Sequence, residues 1–420
     1  MAERTEQKAT TGRQGTISMP LAITMLVILA LSYVVNSMDR QVFPVLLPAV
    51  SQEFGITLSP GGLLTTIFTL GIAVAGFPAG RMVDRYSRKY MIMIGIAIYS
   101  IFTILTALAL GFWDMLFYRA TTGIGEGMQQ AAMFAAVGSY FYRNRAVAIG
   151  VLNFAFGAGS FIGPFVGGLV LQSTGSWKLP LYIYGVLGLI FIPIIALTVS
   201  KKFTEKVELS RSGSAEEEID ARMPERFFNR NMIITIFTAA AVGLVMFGYI
   251  GLYPTFLQQG LGFEPATAGF AASMFGVGAL MGIPAGYLGD RLNQRWVIIM
   301  ALVGVIVVSY LLFNVAKTPF PHYVLSFLFG TFASGFLFVN VYALMQRSVK
   351  TTMIGRASGT FITSLYGAAA FSGYVFGFLV GRFDWSGAAA IQLILVSFIA
   401  VVAMLFADIS KLLPKDLENR

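Results

Sequence analysis

The chain has 420 residues, 56% of them hydrophobic and only 12% charged, with a mean hydropathy of +0.75. A soluble domain carries about 25% charged residues, so water is excluded as the main solvent and lipid takes its place. The absence of cysteine excludes disulfides, thiolate metal sites and cysteine nucleophiles, and the single histidine, His322, cannot build a metal cluster alone.

Residues 1–19 are polar, and the first apolar run is too long for a signal-peptide core. That run also contains Asp39 and Arg40, so it is expected to stay in the mature protein. A membrane-crossing helix needs about 20 mainly apolar residues. In chain order such runs fall at 20–48, 59–80, 90–110, 113–141, 146–171 and 180–199, then at 232–258, 265–287, 296–314, 323–346, 357–380 and 387–406. Twelve spans predict an all-α membrane protein. His322 follows Pro321 at the start of the tenth span, where a solvated loop residue is expected.

Twenty-four of the 29 lysines and arginines fall in the amino terminus, in alternate connections and in the carboxyl terminus. Only Lys178, Lys317 and Arg382 fall in the opposite connections, and Arg40 and Arg119 lie inside spans. Basic connections stay on the cytoplasmic side, so a multi-pass protein of the cell inner membrane with both termini cytoplasmic is expected. This asymmetry accounts for the net charge of +9 without any nucleic-acid partner. The long polar connection 200–230 reads as a cytoplasmic linker between a first bundle, 1–199, and a second, 231–420.

The two bundles repeat each other at one tight turn. Gly76-Phe77-Pro78-Ala79-Gly80 leads into Arg81-Met82-Val83-Asp84-Arg85-Tyr86-Ser87-Arg88-Lys89, and Gly282-Ile283-Pro284-Ala285-Gly286 leads into Tyr287-Leu288-Gly289-Asp290-Arg291. Gly80-x-x-x-Asp84-Arg85-x-x-Arg88-Lys89 resembles the signature loop of the major facilitator superfamily, with Ser87 where glycine is usual; the second copy is degenerate after its arginine. The resemblance implies two pseudo-symmetric six-helix bundles with a substrate site between them near the bilayer midplane. It also implies action as a monomer. Charge pairs built from Asp84, Arg85 and Arg88, and from Asp290 and Arg291, are expected to gate the cytoplasmic face. They would hold it shut in the outward-open state and separate as the protein turns inward. The alternative reading makes them topology-setting charges only.

Ionisable side chains inside a membrane are costly and are functional candidates. There are four: Asp39 and Arg40 in the first span, Arg119 and Glu126 in the fourth. Tyr33, Asn36, Ser37 and Arg40 share one helical face, as do Arg119, Glu126 and Gln130. At 1.5 Å per residue, Asp39, Arg40 and Arg119 should sit ~10–14 Å from the outer ends and Glu126 ~20 Å, which lets the arginines share a layer. Arginine offers a planar fork to a carboxylate or phosphate, and a carboxyl group partly removed from water can load and release protons near neutral pH. Arg40 and Arg119 are therefore expected to contact an anionic substrate, and Asp39 and Glu126 to couple protons. Gly125 and Gly127, flanking Glu126, are expected to leave room for water or ligand. The competing reading is a pair of structural salt bridges, Asp39 with Arg119 or Arg40 with Glu126.

Asn36-x-x-Asp39-Arg40 resembles the first helix of the organic anion–cation symporters and of the spinster-like lipid transporters, and Arg119-x-x-x-Gly123-x-Gly125-Glu126-Gly127 resembles their fourth. In sugar-acid members the resemblance gives the matching Asp39 and Glu126 a proton-carrying role and Arg40 a carboxylate-binding one. Further cavity candidates are Tyr33, Asn36, Gln130, Asn153, Tyr253 and Asn340, with Tyr249 and Tyr342 behind them. Gly159-x-x-x-Gly163-Pro164-x-x-Gly167-Gly168 reads as close helix packing, although a similar run marks drug–proton antiporters. The leading expectation is a proton-coupled symporter of a small organic anion, such as a sugar acid, a monocarboxylate or an aromatic acid, needing no cofactor beyond a proton gradient. The alternative is a proton-driven exporter of drugs or lysolipid-like amphiphiles. An enzyme is disfavoured by the lack of any nucleophile–base pair at depth, and a channel by the asymmetric charge and the gating loops.

Overall fold

The computed structural model describes residues 17–75, 86–141, 145–205, 225–350, 353–408 and 412, and it is helical throughout the described spans. The first six spanning helices are α1 (Met19–Phe54), α2 (Leu58–Ala75), α3 (Arg88–Ala107), α4 (Phe112–Tyr140), α5 (Arg145–Thr174) and α6 (Lys178–Thr198). The next four are α7 (Arg230–Gly260), α8 (Pro265–Arg291), α9 (Gln294–Val315) and α10 (Pro319–Arg347). A last helical run extends to Leu405 and breaks at Asp384, where φ is 59°, into α11 (354–383) and α12 (385–405). Asp384 is the non-glycine residue with positive φ among the described residues; aspartate is one of the few that tolerate it.

Helix α4 passes the length of a span but is the least apolar of the set, because Arg119, Glu126, Gln129 and Gln130 lie along it. Short connections make sequential helices antiparallel. One face of the bundle therefore gathers the basic segments, and the opposite, far face holds the α1–α2, α5–α6 and α7–α8 turns.

The packing pattern occurs twice. α1 lies on α5 as α7 lies on α11, and α3 contacts α4 and α6 as α9 contacts α10 and α12. Across the middle, α5 packs on α8 and α2 on α11, the same pairing with the two halves exchanged. Glycine permits these crossings. A Cβ at Gly62 would fall 2.0 Å from the Gly373 carbonyl oxygen, and one at Gly269 would fall 2.4 Å from that of Pro164.

Contacts between the halves cluster toward the far face. The Gln258 amide of α7 donates to the Val45 carbonyl of α1 (3.0 Å), and the Thr66 hydroxyl to the Ala370 carbonyl (2.8 Å). The Ala266 N–H, left free at the start of α8, donates to Gln172 of α5 (3.1 Å). Toward the basic face, added Cβ atoms at Gly150 of α5 and Gly359 of α11 would meet nothing within 4 Å. Among the described residues, the hydrogen bonds that join the halves lie from the middle of the bundle to the far face. An open vestibule of about 740 Å³ remains at the far rim, lined by Gln52, Gln172, Gln258, Gln259 and Glu264.

Candidate functional site

The four intramembrane charges converge inside the first half. Arg40 of α1 reaches Glu126 of α4, with Nε 3.1 Å from Oε2, and both side chains are almost wholly buried. The contact is ionic rather than a well-aligned hydrogen bond, since neither atom has a partner by hydrogen-bond geometry. Both terminal nitrogens of Arg40 donate to Oε1 of Gln130, at 3.3 Å each. Gln130 is only partly buried and lies on the side of the pair away from the far-face seal. Of the two structural pairings allowed by the sequence, Arg40 with Glu126 is the one found.

Asp39, one residue earlier on α1, lies close enough to Glu126 for the two carboxyl groups to interact. Its Oδ2 accepts from the Thr103 hydroxyl of α3 (2.7 Å), and its Oδ1 is buried without a partner. Arg119 is fully buried and, among the described residues, joins no ion pair; its guanidinium lies 4.7 Å from the Phe43 ring centre and 5.4 Å from that of Phe68. None of its three nitrogens has a hydrogen-bond acceptor. The two arginines therefore do not share a layer, because Arg119 sits beside Phe43, nearly a turn farther along α1. Electrostatically the four form one coupled cluster, in which Asp39 feels Arg119 most among the charges, Glu126 feels Arg40 most, and the two carboxyl groups also act on each other. In this conformation Arg119 is sealed from any space that a substrate could enter.

Gly125 and Gly127 do not leave room for ligand. A Cβ at Gly125 would fall 2.5 Å from the Gly95 carbonyl oxygen, and one at Gly127 would fall 3.2 Å from the Ile72 Cα. These glycines let α3 and α2 close around Glu126 and so enforce its burial.

The remaining candidates separate into two groups. Tyr33 and Asn36 stay near Arg40. Tyr33 lies between Phe134 and Phe156, and Asn36 donates to Gln129 (2.8 Å), which itself donates to Ser32. Asn153, one turn from Gly157 toward the basic face, is exposed. Tyr253 and Asn340, expected at the cavity, are committed to packing in the second half. Tyr253 stacks on Tyr249 and bonds His322 Nδ1 (3.1 Å). Asn340 donates to the carbonyls of Phe336 (2.9 Å) and Ala285 (3.2 Å), and its own carbonyl accepts from Gln294. His322 is also not the solvated loop residue expected: α10 begins three residues earlier, at Pro319, and the ring is fully buried among Phe256, Phe263 and Tyr253.

Of the gating candidates, Asp84 and Arg85 lie outside the described residues. Arg88 is buried, donating to the Ala135 carbonyl (3.0 Å) and the Ser139 hydroxyl (2.9 Å), and so ties α3 to α4 within one half. Asp290 and Arg291 are exposed, and Arg291 covers the Tyr287 ring at 4.3 Å. Among the described residues neither pairs across the halves.

Tyr366 of α11 is the contribution from the second half that sequence reasoning missed. It interacts electrostatically with Arg40 and Glu126 and makes an edge-on contact with Phe247 (5.7 Å), which in turn meets Phe68 across the halves (6.2 Å). A tyrosine in an apolar span gives no signal of its own. Only the apposition of α11 and α1 does.

A sequence profile described as the Major Facilitator Superfamily matches residues 29–372 and, in a second register, 235–419. The multidrug resistance protein MdtG of Serratia proteamaculans (strain 568) is 30% identical over 301 residues, 70% of this chain and 71% of that protein. The hexuronate transporter of Bacillus subtilis (strain 168) is 27% identical over 248 residues; the match spans 58% of this chain and 58% of the transporter's own length. In three dimensions the chain resembles a bacterial homolog to the human lysosomal transporter Spinster, in an inward-facing and unoccupied conformation. The TM-score is 0.71 at 19% identity, covering 93% of this chain and 96% of the other, a likeness of fold.

Proposed function

We propose, for a chain that belongs to the major facilitator superfamily and is therefore a multi-pass membrane transporter and not an enzyme, that it moves a small organic anion together with protons. The observation that supports this reading most is the buried Arg40–Glu126 contact, with Gln130 on its open side and Tyr366 of the other half beside it. A guanidinium held by one internal carboxylate is a site at which an external carboxylate can compete. Protonation of Glu126 removes the Coulomb attraction to Arg40, which is strong away from water, and frees the fork for the substrate. Loss of the proton returns the negative charge to Glu126, re-forms the pair and expels the anion. Proton and anion then travel together because each is needed to break the same contact.

Asp39 serves as a second protonatable group, acting through α1 on the orientation of Arg40. The basic face is the cytoplasmic one, the membrane is the cell inner membrane, and both termini are cytoplasmic, as the distribution of lysine and arginine supports. On that assignment the state described is closed outward and parted inward. Asp84, Arg85, Asp290 and Arg291 would close the cytoplasmic face in the opposite state. The working unit is a monomer.

Export of amphiphiles is the second reading, and the similarity to MdtG favours it. The glycine run of α5 does not add to it, since Gly159 and Gly163 face the Val34 and Met38 carbonyls of α1 in close packing. One experiment separates the two. Proteoliposomes with an alkaline interior, diluted into acidic buffer, are expected to accumulate a radiolabelled carboxylate above its external concentration. Accumulation of cationic or lipid-like compounds only, or accumulation under the reversed gradient only, would discard symport.

A further inference from the structure

The side chains around Arg40 define what kind of anion fits it, an inference that rests on the anion reading above. On the side of the first half, Tyr33, seven residues before Arg40 on the same face of α1, packs edge-on against Phe134 (5.8 Å) and lies 6.2 Å from Phe156. From the second half come Tyr366 and Phe247, and Phe247 meets Phe68 of α2 in the first half, on which Arg119 rests. Tyr33 of α1 and Tyr366 of α11 are the rings that interact with Arg40, with Phe134, Phe156 and Phe247 packed against those two, while Gln130 is the neutral polar side chain bonded to it. Of the nearby amides, Asn36 donates to Gln129 and Gln129 to Ser32, while the Asn36 side-chain oxygen is buried without a partner.

A sugar acid brings several hydroxyl groups besides its carboxylate. Each loses water on entry and costs free energy unless it finds a partner. The two tyrosine hydroxyls, one glutamine and the single free Asn36 oxygen are too few for the ring hydroxyls of a hexuronate. A flat apolar body asks for no such partners, and it gains from edge-to-face and offset contacts with rings already held in place. We infer that the substrate is an aromatic monocarboxylate, its carboxylate on Arg40 and its ring between Tyr33 and the Phe247–Tyr366 pair. The second-half rings would then report occupancy to the second half, because closing on the substrate brings Tyr366 and Phe247 onto it.

The test is equilibrium binding to the purified full-length chain, using benzoate and galacturonate as probes against the wild type, Phe247→Leu, Tyr366→Leu and Arg40→Ala. Benzoate is expected to bind about tenfold more tightly than galacturonate, the worth of one or two aromatic contacts. Phe247→Leu, which keeps an apolar side chain of similar bulk, and Tyr366→Leu should each remove most of that preference by weakening benzoate alone. Tighter binding of galacturonate, lost in Arg40→Ala, would overturn the aromatic assignment and leave the anion reading standing. Equal weakening of both probes by the two leucine variants would overturn it as well. Binding of neither probe in an Arg40-dependent manner would remove both readings.

Discussion

The two halves share a packing plan and differ in what they bury. The first encloses Asp39, Arg40, Arg119 and Glu126, four ionisable groups with few hydrogen bonds among them. The second buries polar groups just as deeply, but they are neutral and mostly satisfied: Asn340 on two carbonyls, Asn231 on both the carbonyl and the N–H of Asp408, Tyr249 on Ser326. Unsatisfied charge in a low-dielectric interior is expensive and easily rearranged, whereas a satisfied neutral network is stable and stiff. On the function proposed above, the first half changes its charge state and the second keeps its shape while closing against the first.

Breaking the charged side should have the largest consequences. Arg40→Ala is expected to weaken carboxylate binding roughly 100-fold, the scale of truncating one member of a buried charge pair, as measured by equilibrium binding. Glu126→Gln should abolish accumulation driven by a pH gradient while sparing exchange of labelled for unlabelled substrate; persistence of accumulation would remove Glu126 from the coupling role. Arg119→Met should destabilise the fold by about 3 kcal/mol, because it strands the Asp39 carboxylate. The double variant Asp39→Asn/Arg119→Met should recover most of the melting temperature. Failure to recover would show that the two do not compensate each other.

On the neutral side the effects should be structural and smaller. His322→Ala leaves the Tyr253 hydroxyl without its partner and opens space among the surrounding rings, at a cost of about 2 kcal/mol. The melting temperature is expected to fall with carboxylate affinity unchanged, and a parallel loss of affinity would contradict the division between the halves. The smallest effect concerns the far-face seal. Removing the Gln258–Val45 hydrogen bond with Gln258→Ala should cost about 1 kcal/mol, shifting the outward-open population about fivefold. The chain has no cysteine, so Thr255→Cys, buried one turn below Gln259, reports that shift by its rate of labelling with a membrane-impermeant maleimide.

Hydropathy made the spans legible, since lipid demands long apolar helices wherever the chain crosses. It also exposed the four charges, which stand out because their surroundings are apolar. Partners were harder to read. Thr103 lies 64 residues from Asp39 and Gln129 lies 93 from Asn36, separations that helical periodicity does not reach. The glycines beside Glu126 suggest space because their Cβ atoms are missing, and the neighbouring helices fill that space. For His322, the apolar run marks the start of α10 four residues late, and at a membrane boundary that distance separates a wet ring from a buried one. Tyr366 and Phe247 carry no local mark at all. Their importance comes only from the side of the interface on which they stand.

The central claim is that a carboxylate takes Arg40 from Glu126, which then holds a proton. Proton uptake on binding, followed with a pH indicator in weakly buffered detergent solution, tests it directly. The wild type should take up protons when the anion binds, with affinity falling as pH rises, and Glu126→Gln should bind with that uptake lost. Binding without proton uptake in the wild type, or uptake undiminished in Glu126→Gln, would contradict the account.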